Sequence, residues 1–249
     1  MADKEHQGRV AVITGGGRGF GKAFGHALAA SGARVVLADI DVEAAQAAAR
    51  EIGGDAEGAA CDVADEAQVA ALVEDVARRH GGIDILINNA GLHSQAYNAP
   101  MAVMGLAKVR RLFDVNVMGV ITCSLAARAA MSGRPGASII NISSSAAYSS
   151  GTAYGASKLA VLGLTMTLAR EFAPDGVRVN GISPGLIFTD TIRAELSQES
   201  VTRVMGQQIL AREGEERDIV EAMLYLTSSR AAFVTGETLR VTGGFALSV

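Results

Sequence analysis

The sequence has no tryptophan, only four prolines and two cysteines, and aromatic residues make up 4% of its 249 positions. So little proline excludes long polyproline or low-complexity segments as a main constituent. Cys61 and Cys123 have no neighbours at metal-ligand spacing, so neither a disulfide framework nor a metal centre is expected, and both read as small buried thiols. An excess of basic charge is also missing. Lys and Arg number 22 against 26 Asp and Glu, for a net charge of -4 and a pI near 5.6, which leaves no field for nucleic acid or an anionic membrane. No continuous apolar run approaches the ~20 residues that a membrane span needs. The polar start, Met1 to Gln7, points to a soluble, cytoplasmic protein. Nor is a serine-hydrolase nucleophile elbow expected.

What is present is 49% hydrophobic residues, 29 glycines and a regular alternation. Residues 9–14 form a β-branched, nearly continuous apolar run that stops at glycines, the pattern of a strand covered on both faces. An alanine-rich stretch, 19–31, reads as a helix stopped by Gly32, and 34–38 reads as a second strand ending at Asp39. The alternation continues with a helix near 41–52, a strand ending near 61 and 62, a helix near 65–80 and a strand at 83–88. Then come a long helical region over much of 101–132, a strand at 138–143, a helix at 152–172 and a strand at 177–182. Residues 189–211 carry apolar positions at irregular helical spacing and are the candidate substrate lid, followed by a helix near 215–228 and a strand near 238–242. Such alternation predicts one α/β domain over residues 1–249, a doubly wound parallel sheet with helices on both faces.

The turn after the first strand reads Thr14-Gly15-Gly16-Gly17-Arg18-Gly19-Phe20-Gly21. Glycine lets a backbone turn tightly and approach a pyrophosphate, and the helix that follows offers unpaired N–H groups and a favourable dipole. The spacing is T-G-x-x-x-G-x-G, a variant of the G-x-G-x-x-G fingerprint. Asp39 ends the second strand eighteen positions after Gly21, near the separation expected of a carboxylate that hydrogen-bonds the adenosine ribose. A carboxylate there repels a 2′-phosphate, favouring NAD over NADP; Arg18, a guanidinium in the glycine loop, argues mildly the other way. Tyr154 and Lys158 stand four residues apart, on one face of a helix, just downstream of Ser143-Ser144-Ser145. A phenol, an ammonium and a hydroxyl cluster together outline an acid/base device.

In order and spacing, Thr14-Gly15-x-x-x-Gly19-x-Gly21, Asn88-Asn89-Ala90-Gly91, Tyr154-x-x-x-Lys158 and Pro184-Gly185 resemble the motifs of short-chain dehydrogenases/reductases, across essentially the whole chain. The resemblance implies a Rossmann-type sheet of seven parallel strands in the order 3-2-1-4-5-6-7, in a homodimer or homotetramer. It implies adenine contact for Asp62, flanked by Cys61 and Val63 in the cofactor set, with Ile40 beside Asp39. Asn89, Ala90 and Gly91 would lie along the cofactor together with Gly17 and Phe20 of the glycine turn, Pro184, Gly185 and Ile187. Thr189 resembles the threonine that holds the nicotinamide carboxamide or a nearby phosphate.

For catalysis, the resemblance makes Tyr154 the acid/base, and Lys158 the residue that lowers its pKa and holds the nicotinamide ribose. Asn116 matches the family asparagine that holds a water on a proton relay to Lys158. The family serine commonly stands thirteen residues before the tyrosine, a position held here by Asn141. Counting from the strand end instead places Ser144 in that role, with a three-residue shortening of the following loop; Ser143 and Ser145 are the other choices. His93 reads as a loop residue that could border the substrate.

The activity implied is hydride transfer between NAD(H) and a secondary alcohol or ketone. The apolar character of 92–104, of Tyr148 and of 186–209 points to an apolar substrate. A 3-oxoacyl-(acyl-carrier) reductase using NADPH is the alternative enzyme, with Asp39 and the acidic pI against it. A catalytically silent dinucleotide sensor is the alternative outside enzymes.

Overall fold

Alternate residues of the short apolar runs face opposite ways, and each face acquires its own helical layer. The computed structural model describes residues 4–93, 97–149, 151–188, 198–245 and 247. Its strands are β1 (Val10–Thr14), β2 (Arg34–Asp39), β3 (Glu57–Ala60), β4 (Ile85–Asn88), β5 (Ser138–Ile142), β6 (Arg178–Pro184) and β7 (Thr238–Val241). They pair in parallel in the order β3-β2-β1-β4-β5-β6-β7, as the resemblance implied. Val10 and Val12 of β1 belong to the core shared with helices α3 (Glu66–His80) and α6 (Gly119–Met131) and with the 20-residue helix α8 (Ala153–Phe172). Ala11 and Ile13 belong to the core on the other face, under α1 (Gly19–Ala30), α2 (Val42–Ile52) and α10 (Glu216–Thr227).

Local chemistry sets the helix starts. Asp41 accepts from the Ala44 N–H to begin α2, Asp65 from Ala67 and Gln68 to begin α3, and Thr152 from Gly155 to begin α8, each satisfying donors that the first turn leaves unpaired. The helical region expected over much of 101–132 is present and is divided into three helices. Gly105, at φ 77°, separates α4 (Met101–Met104) from α5 (Leu106–Phe113), and a π-helical turn, Asp114–Met118, joins α5 to α6. Among the described residues, Leu106–Met131 has the length and apolar composition to cross a membrane. Lys108, Arg110, Arg111 and Asp114 interrupt it, and α6 buries Val120, Cys123, Ala127 and Met131 in the core, the role of a core helix. A short helix unforeseen from the sequence, α7 (Ala146–Ser149), occupies the loop before α8. Of the expected lid, 198–211 lie within the described residues. They hold α9 (Gln198–Met205) and a stretch whose Ile209 and Leu210 N–H groups both donate to the Gly243 carbonyl beyond β7.

At the N-terminal ends of the strands, cations are bonded to backbone. Arg9 donates to the carbonyls of Thr227, Asp84 and Gly136, and Arg178 to those of Leu226, Ser228 and Val234. Asp84 accepts two bonds from Arg134 and one from the Val10 N–H. His6 bonds the hydroxyls of Ser31 and Thr227 through its two ring nitrogens.

Candidate active site

At the opposite edge, the C-terminal ends of β1 and β4 lie side by side while the chain proceeds from them in opposite directions across the sheet. That switch point opens a crevice, and a cleft of about 600 Å³ lies there. The glycine turn forms one end of it. Gly15 takes φ 63°, and a Cβ on it would come within 2.9 Å of the Ala90 Cα, while a Cβ on Gly21 would overlap the Gly15 carbonyl. Asn89 fastens the turn by donating to the carbonyls of Thr14 and Gly15 at 3.0 and 2.9 Å. Asn88 instead braces the sheet, donating to Asn141 and Ser124.

Asp39 accepts from the Gly17 N–H at 2.9 Å and from the Asp41 N–H at 3.0 Å, so its carboxylate is fixed beside the turn. Arg18 is ion-paired with Asp41. This cradle fits a dinucleotide. Helix α1 begins with no side-chain cap and no acidic residue in its first turn, leaving N–H groups for a phosphate. A Cβ on Gly19, which lines the cleft, would meet no protein atom within 4 Å. Asp62 is partly engaged already, accepting from the Ala64 N–H at 3.0 Å and from Arg111 at 2.9 Å.

The other end holds the tyrosine and lysine. Thr152 caps α8 so that Tyr154 and Lys158, one turn apart, reach the cleft together. Ser144 lines the cleft together with Tyr154 and accepts from the Ala146 N–H at 3.1 Å. Ser143 also lines the cleft, but its hydroxyl donates to the Lys158 carbonyl at 2.8 Å. Burial raises the Tyr154 phenol above its ordinary value, opposed by the nearby Ser144 hydroxyl, because a buried phenolate lacks solvation. Lys158 is buried, donates to the Ile142 carbonyl at 2.8 Å, and lies with its Nζ 5.9 Å from the centre of the Tyr154 ring. Burial pushes its ammonium down to about 8, so it keeps most of its charge near neutrality. Asn116 sits in the π turn, buried, accepting from the Leu92 N–H at 2.7 Å and donating to the Leu92 carbonyl and to Ser157. Ser157 in turn donates to the Tyr154 carbonyl at 2.8 Å.

The cleft brings together Gly15, Arg18, Gly19, Phe20, Asp39, Ile40, Cys61, Asp62, Val63, Asn89, Ala90, Gly91, Ser144, Tyr154, Lys158, Pro184, Gly185 and Ile187. Gly17 and Gly21 stand inside the turn, Asn116 behind Leu92, and Thr189 outside the described residues. His93 lines the cleft. Tyr148 does not: Arg240 stacks on its ring at 5.1 Å, which argues against the substrate-facing place expected for it. Sequence reasoning missed Arg111, Val115 and Ile142 in the lining. Arg111 had no local signal, since its partner Asp62 is 49 positions away. A G-x-S-x-G match was also passed over, at Gly181-Ile182-Ser183-Pro184-Gly185. It lies largely in β6 with Ser183 fully buried, rather than on the sharp strand-to-helix turn that a nucleophile elbow requires. Both cysteines are free and buried, and burial lifts the thiols of Cys61 to about 11 and Cys123 to about 12, where they are unreactive. Among the described residues, no group of His, Cys, Asp and Glu could hold a metal ion.

Residues 15–246 match the family described as enoyl-(acyl carrier protein) reductase. The 7alpha-hydroxysteroid dehydrogenase of Escherichia coli K12 is 34% identical over 95% of this chain and 94% of its own length. The 3-oxoacyl-[acyl-carrier-protein] reductase FabG of Vibrio cholerae is 36% identical, over 96% and 97%. Among solved structures, a short-chain type dehydrogenase/reductase from Mycobacterium marinum superposes with a TM-score of 0.90 at 32% identity, covering 99% of this chain and 98% of that one. A blue fluorescent protein from a metagenomic library, in complex with NADPH, gives 0.88 at 35% identity, covering 98% and 100%.

Proposed function

Since the chain belongs to the short-chain dehydrogenase/reductase family of oxidoreductases, we propose that it transfers a hydride between NAD(H) and an apolar secondary alcohol or ketone. The observation that carries this reading is the meeting of Ser144, Tyr154 and buried Lys158 in the same cleft as the glycine turn. The dinucleotide supplies the hydride acceptor or donor when bound.

The remaining roles belong to the chain. Tyr154 takes the alcohol proton on oxidation and returns it on reduction, the base and acid that the two directions need. Ser144 holds the substrate oxygen against the phenol and steadies charge developing there. Lys158 opposes the upward pull of burial on the phenol with its positive charge. Asn116 ties Leu92 to Ser157 and so holds the start of α8 against the cleft.

Two features support NAD. Asp39 is immobilised where a 2′-phosphate would meet its charge, and Arg18, the cation able to pair with that phosphate, is bound to Asp41. Leu92, Ile142, Leu186 and Ile187 line the cleft and support an apolar substrate. Leu125, Leu159 and Met166, exposed on α6 and α8, support assembly as a homo-oligomer. A second reading, an acyl-carrier reductase using NADPH, is favoured by the description of the matched family and by the FabG relative. Asp39 and the net charge of -4 weigh against it, because an acidic carrier calls for a basic docking surface.

The test is a panel of apolar ketones and alcohols assayed with NADH, NAD, NADPH and NADP by absorbance at the nicotinamide band. Turnover of apolar ketones with NADH is expected. A strong preference for NADPH, or turnover confined to charged sugars or acyl-carrier substrates, would overturn the reading.

A further inference from the structure

The loop after β3 touches the segment carrying Asn116 at two points. Asp62 is paired with Arg111, near the end of α5, at 2.9 Å. Val63 packs so closely on Gly119, the first residue of α6, that a Cβ on the glycine would come within 2.7 Å of the valine Cγ2. Between these two contacts lies the π turn, Asp114–Met118, with Asn116 inside it. Asn116 continues the connection through the Leu92 backbone and Ser157 to the Tyr154 carbonyl. The far side of the loop is anchored separately, since the Asp62 N–H donates to Gln68 and its carboxylate accepts from Ala64. Arg111 is therefore the polar link between a wall of the cleft and the backbone that holds the tyrosine. It lines the cleft with its side chain 41% exposed, so a ligand touching Asp62 competes with it or shares its carboxylate.

We propose that Arg111 is a positioning residue that couples occupancy of the adenine end of the cleft to the placement of Asn116 and the start of α8. The proposal rests on the dinucleotide reading of the cleft but not on any substrate. An adenine amino group that donates to the Asp62 carboxylate alters its pairing with Arg111. The π turn, held between Arg111 and Gly119, carries the change to Asn116, a contiguous chain of bonded groups. The π turn is the one interruption between α5 and α6, and such turns occur frequently at functional sites.

The experiment is hydrogen exchange, read by peptide, on the wild-type chain and on Arg111→Gln and Arg111→Lys, each with and without 5′-AMP. AMP carries the adenine but is too short to touch Tyr154 or Lys158. In the wild type it should slow exchange at 15–21 and 61–64, and also at 113–120 and 152–158, the distant effect being about fivefold or more, the low end for coupled sites. In Arg111→Gln the near protection should persist while the distant protection is lost, and Arg111→Lys, which keeps a cation, should restore part of it. A purely structural role would instead speed exchange over α5 with or without AMP. Distant protection equal in Arg111→Gln and wild type, or absent from the wild type despite AMP binding, overturns the coupling alone. Failure of AMP to bind the wild type would bring down the dinucleotide reading with it.

Discussion

The two edges of the sheet use the same kinds of side chain to opposite ends. At the N-terminal edge, Arg9, Arg178, Arg134 and His6 are bonded to carbonyls, to Asp84 or to hydroxyls, so their polarity holds the ends of β1, β5 and β6 to the neighbouring loops and to α10. At the C-terminal edge, Lys158 makes one bond to the Ile142 carbonyl and lines a cleft together with Tyr154 and Ser144. A cation tied to several carbonyls or carboxylate oxygens stabilises a fold, whereas one with a single protein bond keeps donors for a ligand. The contrast separates substitutions that should change turnover from those that should change stability.

The largest effect belongs to the cleft. Ser144→Ala should lower kcat by about 10²- to 10³-fold, the cost of losing a donor to developing negative charge, with the melting temperature nearly unchanged. Ser143→Ala should lower it far less, since that hydroxyl serves the Lys158 carbonyl. Steady-state kinetics on the two variants checks the assignment, and equal small losses would sink it.

The mirror image is Asp84→Ala at the other edge. It strands the Arg134 guanidinium and the Val10 N–H, and denaturant unfolding should show a loss of about 3 kcal/mol with kcat preserved in the folded fraction.

Cofactor choice sharpens the comparison within the cleft. Asp39→Asn should shift the ratio of NADPH to NADH affinity by about tenfold, equal to about 1.4 kcal/mol. Adding Asp41→Asn, which keeps the α2 cap while releasing Arg18, should shift it further in the same direction. Fluorescence titration with the two reduced dinucleotides reads both steps, and an unchanged ratio would remove the case for NAD.

The smallest effect concerns pH. His6 is held below its ordinary pKa, chiefly by burial and then by the charge of Arg9, with Glu5 and the Thr227 bond opposing and Arg230 adding to the depression. Its folded value lies below the unfolded one of about 6.5, so its contribution is present above pH 6.5 and is lost as the pH falls through the folded pKa. Stability should fall more between pH 7 and pH 5 in the wild type than in His6→Gln, as read by denaturant unfolding, and an equal fall would contradict this role of His6.

Much of the architecture was legible because periodicity and turn chemistry are local. The strand positions and the glycine turn between β1 and α1 stand as read, and the order across the sheet is the one that the family resemblance implied. What escaped depends on contacts between distant residues. The helical region expected over much of 101–132 is there, but its division at Gly105 and at the π turn was not read from the sequence. Tyr148 read as substrate-facing because an apolar ring in a loop near the site looks available, yet Arg240 from β7 claims it. Arg111 was invisible for the same reason. Counting from the strand end puts Ser144 in the active role, with Ser143 and Ser145 as the other choices; that Ser143 donates to the Lys158 carbonyl is a contact that counting along the chain cannot show.

The central claim is that Tyr154 moves the proton during hydride transfer. Tyr154→Phe keeps the ring and removes only the hydroxyl, so it isolates that claim. With a ketone turned over by the wild type, the rate of NADH oxidation should fall by about 10²- to 10⁴-fold while dinucleotide affinity, measured by fluorescence titration, stays the same. Turnover unchanged by Tyr154→Phe would contradict the account, and the absence of any wild-type turnover alongside tight dinucleotide binding would mark the chain as a silent binder.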